Sequence, residues 1–345
     1  MKTYFFILLI LISNGISSQN IIVGFYNCEN YYDTTNQIKV LDEDFIPNSQ
    51  KKYNSEVFEI KTKHLANVIY GVGKIDNSNG ITLMGLAEIE NKEVLDKLIS
   101  EPLLKKYHLR YIHFDSKDLR GVDVALIYNP SYFTPYQYKP YSLSDKTHFN
   151  DYATRDILYV KGSINGKWVH ILVNHWPSRR GGILNSNKKR FWASQVCKKI
   201  IDSITKVDPV SKFIVMGDFN DNPNDKSIRN LNLTNPFLPL FNKGIGSIAF
   251  NDSWNLFDQI LLSINWRDTI VAETNNKFLP DSTSFESLTH YKPIIYTNPA
   301  MIENRGKYQG YPKRTYNGDR FRGGYSDHFP VALIFKPKNA EKPLK

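Results

Sequence analysis

The feature that most constrains the fold of this 345-residue chain is a series of short apolar runs that end in polar side chains. Runs of six or seven residues rich in branched and aromatic side chains are typical of buried strands. Between some of these runs, apolar residues recur at helical spacing, which predicts helices starting at Asn54 or Ser55 and at Asn91, and a third from Lys188 to Ile204. Alternating strands and helices, interrupted by consecutive strands, predict an α/β sandwich with mixed sheets. The predicted strands are 21–27, 81–87, 122–128, 156–162, 168–174, 212–217, 257–263 and 330–335.

The two ends of the chain differ in character from the region between them. Lys2 precedes an apolar run from Tyr4 to Ile12 and then a small, polar stretch, which is the pattern of a secretory signal cleaved near Ser17 or Ser18. This run is too short to span a bilayer. We therefore predict a signal peptide over 1–18, one domain over 19–338, which no Pro/Gly/Ser-rich linker divides, and a flexible tail over 339–345. The expected mature protein is an exported monomer, periplasmic or extracellular, with no transmembrane segment and no stable protein partner.

The residue counts exclude several classes of protein. Two cysteines, Cys28 and Cys197, are too few for a disulfide scaffold, and their spacing matches no zinc motif. One bridge between them or two buried free thiols are both open at this point. The 21 Tyr and 20 Phe residues exclude a chain that is mainly disordered.

The net charge of +10 predicts a polyanionic partner, such as nucleic acid or a lipid surface. The excess is concentrated in two stretches. Residues 179–190 contain five basic residues and no acid, and residues 305–322 contain six basic residues and one acid. The alternative is that both are simply solvated loops. In the second stretch, aromatic side chains that could stack on bases are interleaved with the charges: Tyr308, Tyr311, Tyr316 and Phe321.

Acids, amides and histidines follow five of the apolar runs, at 27–30, 88–91, 174–178, 217–223 and 325–330. Asp258 adds an acid inside an otherwise apolar run. A buried carboxylate is costly unless it is paired or bound to a metal. Carboxylate and amide oxygens suit Mg²⁺, Mn²⁺ or Ca²⁺ better than Zn²⁺. Together with histidines close to acids and a basic surface, these residues favour the hydrolysis of a phosphate ester.

The order of the motifs FYNCEN, LAEIEN, LRGVDVAL, VNHWPSR, MGDFNDNP, DQILLS and YSDHFPV resembles the endonuclease/exonuclease/phosphatase superfamily. The resemblance extends from about residue 21 to 335. It implies a four-layer α/β sandwich, in which two mixed β-sheets pack face to face with helices outside. It also implies a site at one edge for a divalent metal, Mg²⁺ with Mn²⁺ or Ca²⁺ as alternatives, and phosphoesterase activity.

The resemblance further implies a role for individual residues. The implied metal ligands are Asn27, Glu29, Glu88 and Asp327. Asp218 is expected to prepare the attacking water and Asn220 to contact the phosphate. His328 is expected to stabilise the transition state, with Asp258 orienting it. His175 lies where deoxyribonuclease-like members carry a second histidine, proposed to protonate the leaving oxygen, and Asp123 is expected to support His175. The predicted substrate contacts are Arg155, Asn174, Arg179 and Arg190.

The substrate is less explicit in the sequence than the chemistry. The leading hypothesis is an exported metal-dependent nuclease, because His175 replaces the tyrosine of members specialised for abasic sites and because the charge suits backbone phosphates. The alternative is a hydrolase of phospholipid, sphingomyelin or a small phosphodiester or phosphomonoester. A third hypothesis, a polyanion-binding protein with a dead site, is disfavoured because every expected polar position is filled.

Overall fold

Two β-sheets pack face to face at the centre of the computed structural model, as the sequence predicts. The structure describes residues 20–145, 149, 152–180, 182–266 and 288–337. The predicted signal peptide and C-terminal tail lie outside these residues. With strands numbered in chain order, the first sheet runs β12-β15-β1-β2-β4-β3. Its strands are β1 (Ile21–Tyr31), β2 (Leu83–Ile89), β3 (Arg110–His113), β4 (Asp123–Tyr128), β12 (Leu288–Ile295) and β15 (Val331–Pro337).

The second sheet has the order β11-β8-β7-β6-β5. Its strands are β5 (Phe133–Asp145), β6 (Tyr152–Ile164), β7 (Lys167–His175), β8 (Phe213–Asp218) and β11 (Asp258–Leu262). Edge strand β5 has no counterpart among the predicted runs, because Pro135 and Pro140 interrupt its pattern and prolines are tolerated only at sheet edges. Two small hairpins complete the strands: β9 (Ile248–Phe250) with β10 (Ser253–Asn255), and β13 (Tyr316–Asn317) with β14 (Arg320–Phe321).

Helices cover the outer face of each sheet. They are α1 (Ser55–Val72), α2 (Lys92–Ser100), α3 (Pro102–Lys105), α4 (Ile183–Val207), α5 (Lys226–Asn230) and α6 (Leu238–Phe241). The side chains of Asn54 and Asn91 accept hydrogen bonds from the backbone amides of Val57 and Val94, which confirms both predicted helix starts. The third predicted helix is longer than expected, since α4 begins five residues before Lys188. No helix among the described residues is both long enough and apolar enough to cross a membrane.

Three apolar layers make up most of the core within the described residues, and these define the four-layer sandwich. The central layer joins the two sheets through side chains such as Phe25, Val173 and Met216. A second layer joins the six-stranded sheet to α1 and α2, and a third joins the five-stranded sheet to α4. Cys28 lies in the second layer and Cys197 in the third, and both are buried free thiols. Of the two possibilities that the sequence left open, the structure therefore shows two buried free thiols and no disulfide.

Both sheets contribute to one edge of the sandwich. β1 and β2 are parallel neighbours in one sheet, and β7 and β8 are parallel neighbours in the other. The carboxyl ends of all four strands carry the polar segments singled out in the sequence. β11 begins at the same edge because Asp258 pairs with Asp218 at the end of β8. This shared edge positions the candidate active site.

Candidate active site

Three polar residues form a row across the ends of adjacent strands. Asp218 on β8 lies directly opposite Asp258 on β11 and directly opposite His175 on β7. Residues in register on neighbouring strands point to the same face of a sheet, so the three side chains converge. His328 arrives from the other sheet, three residues before β15 begins. The structure thus brings together residues that are far apart in sequence.

His328 is held by a buried carboxylate. Its Nδ1 lies 2.6 Å from Asp258 Oδ2, and that oxygen also accepts a 2.6 Å hydrogen bond from the Ser247 hydroxyl. The Nε2 atom of His328 lies 3.8 Å from Asp327 Oδ1 and 3.9 Å from Asp218 Oδ2. Burial alone would lower the pKa of His328, but Asp258, Asp327 and Asp218 together raise it well above its usual value. The contact with Asp258 fixes the orientation of the ring, and the three carboxylates favour its protonated form.

Asp218 is at the centre of this arrangement. Its Oδ2 accepts a 3.0 Å hydrogen bond from the Asn27 side chain, and its Oδ1 accepts one of 3.0 Å from the backbone amide of Asn220. Burial, partly offset by His328, raises the pKa of Asp218 to about 6. His175 Nε2 lies 3.5 Å from Asp218 Oδ2 and 3.8 Å from Glu88 Oε1. In contrast with His328, burial and the nearby Arg155 lower the pKa of His175 well below its usual value.

The backbone at the site adopts an uncommon conformation. Glu29, Asn30, Glu88 and Asn220 all have positive φ angles, between 49° and 60°. The pairing of β1 with β2 is irregular between Asn27 and Tyr31, and that of β2 with β4 is irregular next to Glu88. Left-handed non-glycine residues cost about 1–3 kcal/mol each and cluster at functional sites. These bulges turn the carboxylates out of the sheet, and the Asn30 amide donates a 2.8 Å hydrogen bond to Glu88 Oε2.

The carboxylates at this edge carry negative charge that the protein only partly compensates. Glu29 accepts a 2.7 Å hydrogen bond from the Thr315 amide, and its Oε2 lies 3.8 Å from the buried ammonium of Lys61. Even so, burial and the negative charge of Asp327 raise the pKa of Glu29 to about 7. A divalent cation would relieve this repulsion, and the donor set of Asn27, Glu29, Glu88 and Asp327 is made of the hard oxygen atoms that Mg²⁺ prefers. The chemistry of these donors therefore fits the implied metal, while the acids and histidine that come within 4.8 Å of one another at this edge are Asp218, Asp258 and His328.

A pocket of about 330 Å³ opens beside these carboxylates. Its wall combines two kinds of charge. Glu29, Glu88 and Asp327 lie on it together with four basic side chains, Lys51, Arg120, Arg180 and Arg314. Carboxylates that can bind a metal and cations that can bind phosphate oxygens are the two components of a phosphoryl-transfer site.

Two of these basic residues lie in the basic stretches singled out in the sequence, Arg180 in 179–190 and Arg314 in 305–322. Arg314 lies 3.1 Å from Asp327 Oδ2.

Other basic residues at the site were not proposed from the sequence. Arg120 lies 3.6 Å from Glu88 Oε1, and although burial opposes it, the charges of Glu88 and Asp118 raise the pKa of Arg120. Lys61 could have been found, because it interrupts the apolar stripe of α1 and a lysine on a buried face needs a partner. Lys51 and Arg120 carry no such local signal.

The structure differs from the sequence-based expectation for three predicted substrate contacts. Arg155 is buried and donates to Asp118 Oδ2 (3.0 Å) and to the Trp176 carbonyl (2.7 Å). Arg190 is fully buried in an ion pair with Asp221 (2.7 Å). Asn174 is also fully buried, and its side chain bonds the backbone of β7 and β8 and the Trp176 indole. All three side chains bond to groups inside the protein instead of facing a substrate, because buried polar groups need internal hydrogen-bond partners.

Two further predicted residues also have different surroundings from those expected. Arg179 is partly exposed, but it bonds the Asn220 carbonyl and pairs with Asp221 and Asp225, so it holds the loop after β8. Asp123 does not support His175, whose Nδ1 has no hydrogen-bond partner in the described part of the chain. Asp123 instead faces His113, with 3.6 Å between its Oδ2 and the histidine Nε2. The expected partnership fails because β4 presents Asp123 to the neighbouring strand β3.

The fold and the site together define a phosphoesterase of the four-layer sandwich type. The model of the endonuclease/exonuclease/phosphatase family matches residues 22–337. The chain belongs to this family and is a hydrolase of phosphate esters, which confirms the resemblance drawn from the motifs. A search of curated protein sequences found no match.

Solved structures share the fold at low sequence identity. A family protein from Bacteroides thetaiotaomicron is 14% identical, with 92% of this chain and 97% of that chain covered and a TM-score of 0.54. A mannosyl-6-phosphatase from the same organism is 14% identical, with 92% and 99% covered and a TM-score of 0.54. D. rerio TDP2, in complex with a single-strand DNA product, is 13% identical, with 92% and 99% covered and a TM-score of 0.51. This level of identity supports the fold alone.

Proposed function

We propose that the protein is an exported, divalent-metal-dependent phosphodiesterase that hydrolyses nucleic acid by in-line attack of water. The observation that carries the proposal is the convergence of Asp218, His328 and the carboxylates of Glu29, Glu88 and Asp327 at one sheet edge, beside a pocket with four basic side chains. The proposed export rests on the composition of residues 1–18, and N-terminal sequencing of protein from culture medium or periplasm would test it.

Glu88, Asp327, Asn27 and Glu29 would hold the metal, with Mg²⁺ as the proposed ion because all their donor atoms are oxygens. When bound, such an ion neutralises charge on the phosphoryl oxygens and makes a water molecule more acidic. Asp218, held by Asn27 and the Asn220 amide, orients the attacking water. His328, fixed by Asp258, donates through Nε2 to a phosphoryl oxygen as negative charge develops.

A second pocket favours a polymer as the substrate. It has a volume of about 430 Å³, and Arg314 lines both pockets, so the second lies next to the catalytic one. Its aromatic side chains include Phe250 and Tyr308, of which 67% and 47% are exposed. Exposed aromatics beside basic side chains stack bases and neutralise phosphates in single strands. The pocket's remaining basic residues are Arg305, Lys307 and Arg322.

The second candidate is a small phosphate ester. The catalytic pocket of about 330 Å³ could hold a single phosphorylated sugar, and one fold relative is a mannosyl-6-phosphatase. Another relative, TDP2, carries a DNA product. The two candidates differ in whether the pocket that contains Phe250 and Tyr308 contributes to binding. A small ester would occupy the catalytic pocket only.

The deciding experiment compares substrates with and without metal. Purified protein lacking residues 1–18 is incubated with Mg²⁺ or with chelator and offered single-stranded DNA, RNA, plasmid, sphingomyelin vesicles, a chromogenic phosphodiester and sugar phosphates. We expect metal-dependent cleavage of nucleic acid and a loss of about 1,000-fold or more in Glu88→Gln. Turnover of sugar phosphates or vesicles with none of nucleic acid would overturn the nuclease assignment.

The second pocket is tested with the double variant Phe250→Ala/Tyr308→Ala. Stacking on an aromatic side chain contributes about 1–3 kcal/mol per base, so loss of both side chains should raise KM for an oligonucleotide at least about 30-fold while turnover of the chromogenic phosphodiester stays unchanged. Tyr136→Ala is the matched control, because Tyr136 is an exposed tyrosine on the edge strand β5. An equal loss on both substrates, or no loss, would contradict a role for this pocket.

A further inference from the structure

A second group of potential metal ligands lies outside the set assigned above. His113 is the last residue of β3, Asp123 is the first residue of β4, and Asp115 lies in the connection between them. One ligand atom from each residue can be chosen so that all three lie within 4.8 Å of one another. Such a cluster is common on protein surfaces without a function, so its significance depends on the state of the histidine.

The histidine of this group is buried without a hydrogen bond. The side chain of His113 has no exposed surface, and neither ring nitrogen has a hydrogen-bond partner within the described residues. Its Nδ1 lies 3.8 Å from Asp115 Oδ1, and its Nε2 lies 3.6 Å from Asp123 Oδ2. Buried polar atoms without hydrogen-bond partners are rare and costly, so the two ring nitrogens of His113 need an explanation. Coordination to a cation would satisfy a nitrogen that the protein leaves unsatisfied.

One observed spacing is close to that in a bound site. Two ligand atoms that each lie about 2.0–2.2 Å from one ion at a tetrahedral angle are about 3.4 Å apart. The 3.6 Å separation of His113 Nε2 and Asp123 Oδ2 exceeds this by a few tenths of an ångström. Asp115 Oδ1 lies nearest to the other ring nitrogen, Nδ1, at 3.8 Å, so its exposed side chain has to rotate for both carboxylates to reach an ion on Nε2.

We propose that His113, Asp115 and Asp123 form a second divalent-cation site, distinct from the catalytic metal site. One imidazole and two carboxylates suit a borderline ion such as Zn²⁺, whereas the oxygen donors at Glu88 suit Mg²⁺. Asp115 is the entry point, because its side chain is 83% exposed while the other two ligands are buried.

The position of the site suggests what a cation there would do. Its ligands close the two ends of the connection 114–122, which carries Asp118 and Arg120 towards the catalytic pocket. Asp118 holds the buried Arg155, and Arg120 lies 3.6 Å from Glu88. A further bond within the connection runs from the Ser116 amide to Asp123 Oδ1 (2.9 Å). An ion bound where the two ends of this connection meet would therefore fix the position of Arg120 beside Glu88, a ligand of the proposed catalytic metal.

The test is Zn²⁺ binding by the protein after treatment with chelator, measured by titration calorimetry and by bound metal after dialysis. Glu88→Gln is used as the background, so that the catalytic site contributes less to the signal. In this background we expect one bound Zn²⁺ and a rise in the unfolding temperature on addition of Zn²⁺. Asp115→Asn and His113→Gln should each weaken binding at least tenfold and abolish that rise.

Asp115→Asn should fold like the wild type, because the side chain of Asp115 is exposed and its replacement does not disturb the core. Asp202→Asn is its matched control, because Asp202 is another exposed aspartate, which forms a surface ion pair with Lys198 on α4. The proposed site would be overturned if Glu88→Gln bound Zn²⁺ with the same affinity whether or not it also carried Asp115→Asn or His113→Gln. Absence of Zn²⁺ binding in the background would overturn it as well. Neither result would affect the proposed nuclease activity, which is measured separately with Mg²⁺.

Discussion

The pair of His328 and Asp258 shows how one contact fixes the orientation of a side chain. Histidine can present either ring nitrogen, and the 2.6 Å contact from Asp258 to Nδ1 leaves Nε2 facing Asp218 and Asp327. The second hydrogen bond to Asp258, from Ser247, fixes the carboxylate in turn. Both residue types were predicted from the sequence, and the structure shows the contact that makes them act together.

Removing the charge of Asp258 should therefore impair His328 without removing it. In Asp258→Asn the side chain keeps its shape, but an amide neither holds the histidine tautomer nor stabilises its positive charge. We expect kcat to fall about 100-fold or more with little change in KM, measured by steady-state kinetics on the chromogenic phosphodiester. Ser247→Ala, which removes only the supporting hydroxyl, should lose less. A kcat equal to that of the wild type in Asp258→Asn would contradict the positioning role.

At the scale of elements, the strands of the five-stranded sheet carry a second buried histidine that has no catalytic task. His170 on β7 lies opposite Lys161 on β6 and stacks between Tyr159 and Phe213. Its Nδ1 is 2.9 Å from the Tyr159 hydroxyl. Burial, assisted by Lys161, lowers the pKa of His170 to about 4. The neutral ring is thus part of the folded sheet.

This lowered pKa predicts acid sensitivity. The unfolded chain binds a proton at His170 near pH 6.5 while the folded chain does not until about pH 4, so stability present above pH 6.5 is lost as the pH falls through this range. His170→Gln cannot titrate, and between pH 7 and 4.5 it should lose about 1–2 kcal/mol less unfolding free energy than the wild type. Urea unfolding at both pH values measures the difference. Parallel losses in the two proteins would refute the explanation.

At the scale of the whole molecule, the active site depends on how closely the two sheets approach. Gly85 on β2 permits this approach, because a Cβ atom there would lie 2.6 Å from Met216 Sδ and 3.0 Å from a methyl group of Val173, both in the other sheet. Glu88 follows three residues later on the same strand, and Asp218 two residues after Met216. The packing of the sheets therefore sets the distance between Glu88, a proposed metal ligand, and Asp218, which we propose prepares the attacking water.

Gly85→Ala should force the sheets apart. Overpacking a core typically costs about 1–3 kcal/mol, so we expect the urea midpoint to fall, with a loss of activity that exceeds the loss in folded fraction. Gly24→Ala is the matched control on β1, because its Cβ would meet only the flexible side chain of Met84, at 3.1 Å. Equal stability of Gly85→Ala and the wild type would contradict the close approach.

The sequence by itself determined eight of the eleven strands described in the two sheets, the helix starts at Asn54 and Asn91, the family, and the identity of the acids and histidines at one sheet edge. Apolar periodicity, capping side chains and motif order are local properties, and they can be interpreted without knowing what packs against them. Only the tertiary structure decided which charged residues face the pocket. Arg190 is fully buried on Asp221 while Arg314 lies on the pocket wall, and Asp123 faces His113 instead of His175. The position of an arginine side chain cannot be predicted from its charge, because it depends on contacts between distant parts of the chain. Arg314, for example, is placed by its neighbour Thr315, whose amide bonds Glu29, 286 residues away in the chain, only when the protein has folded.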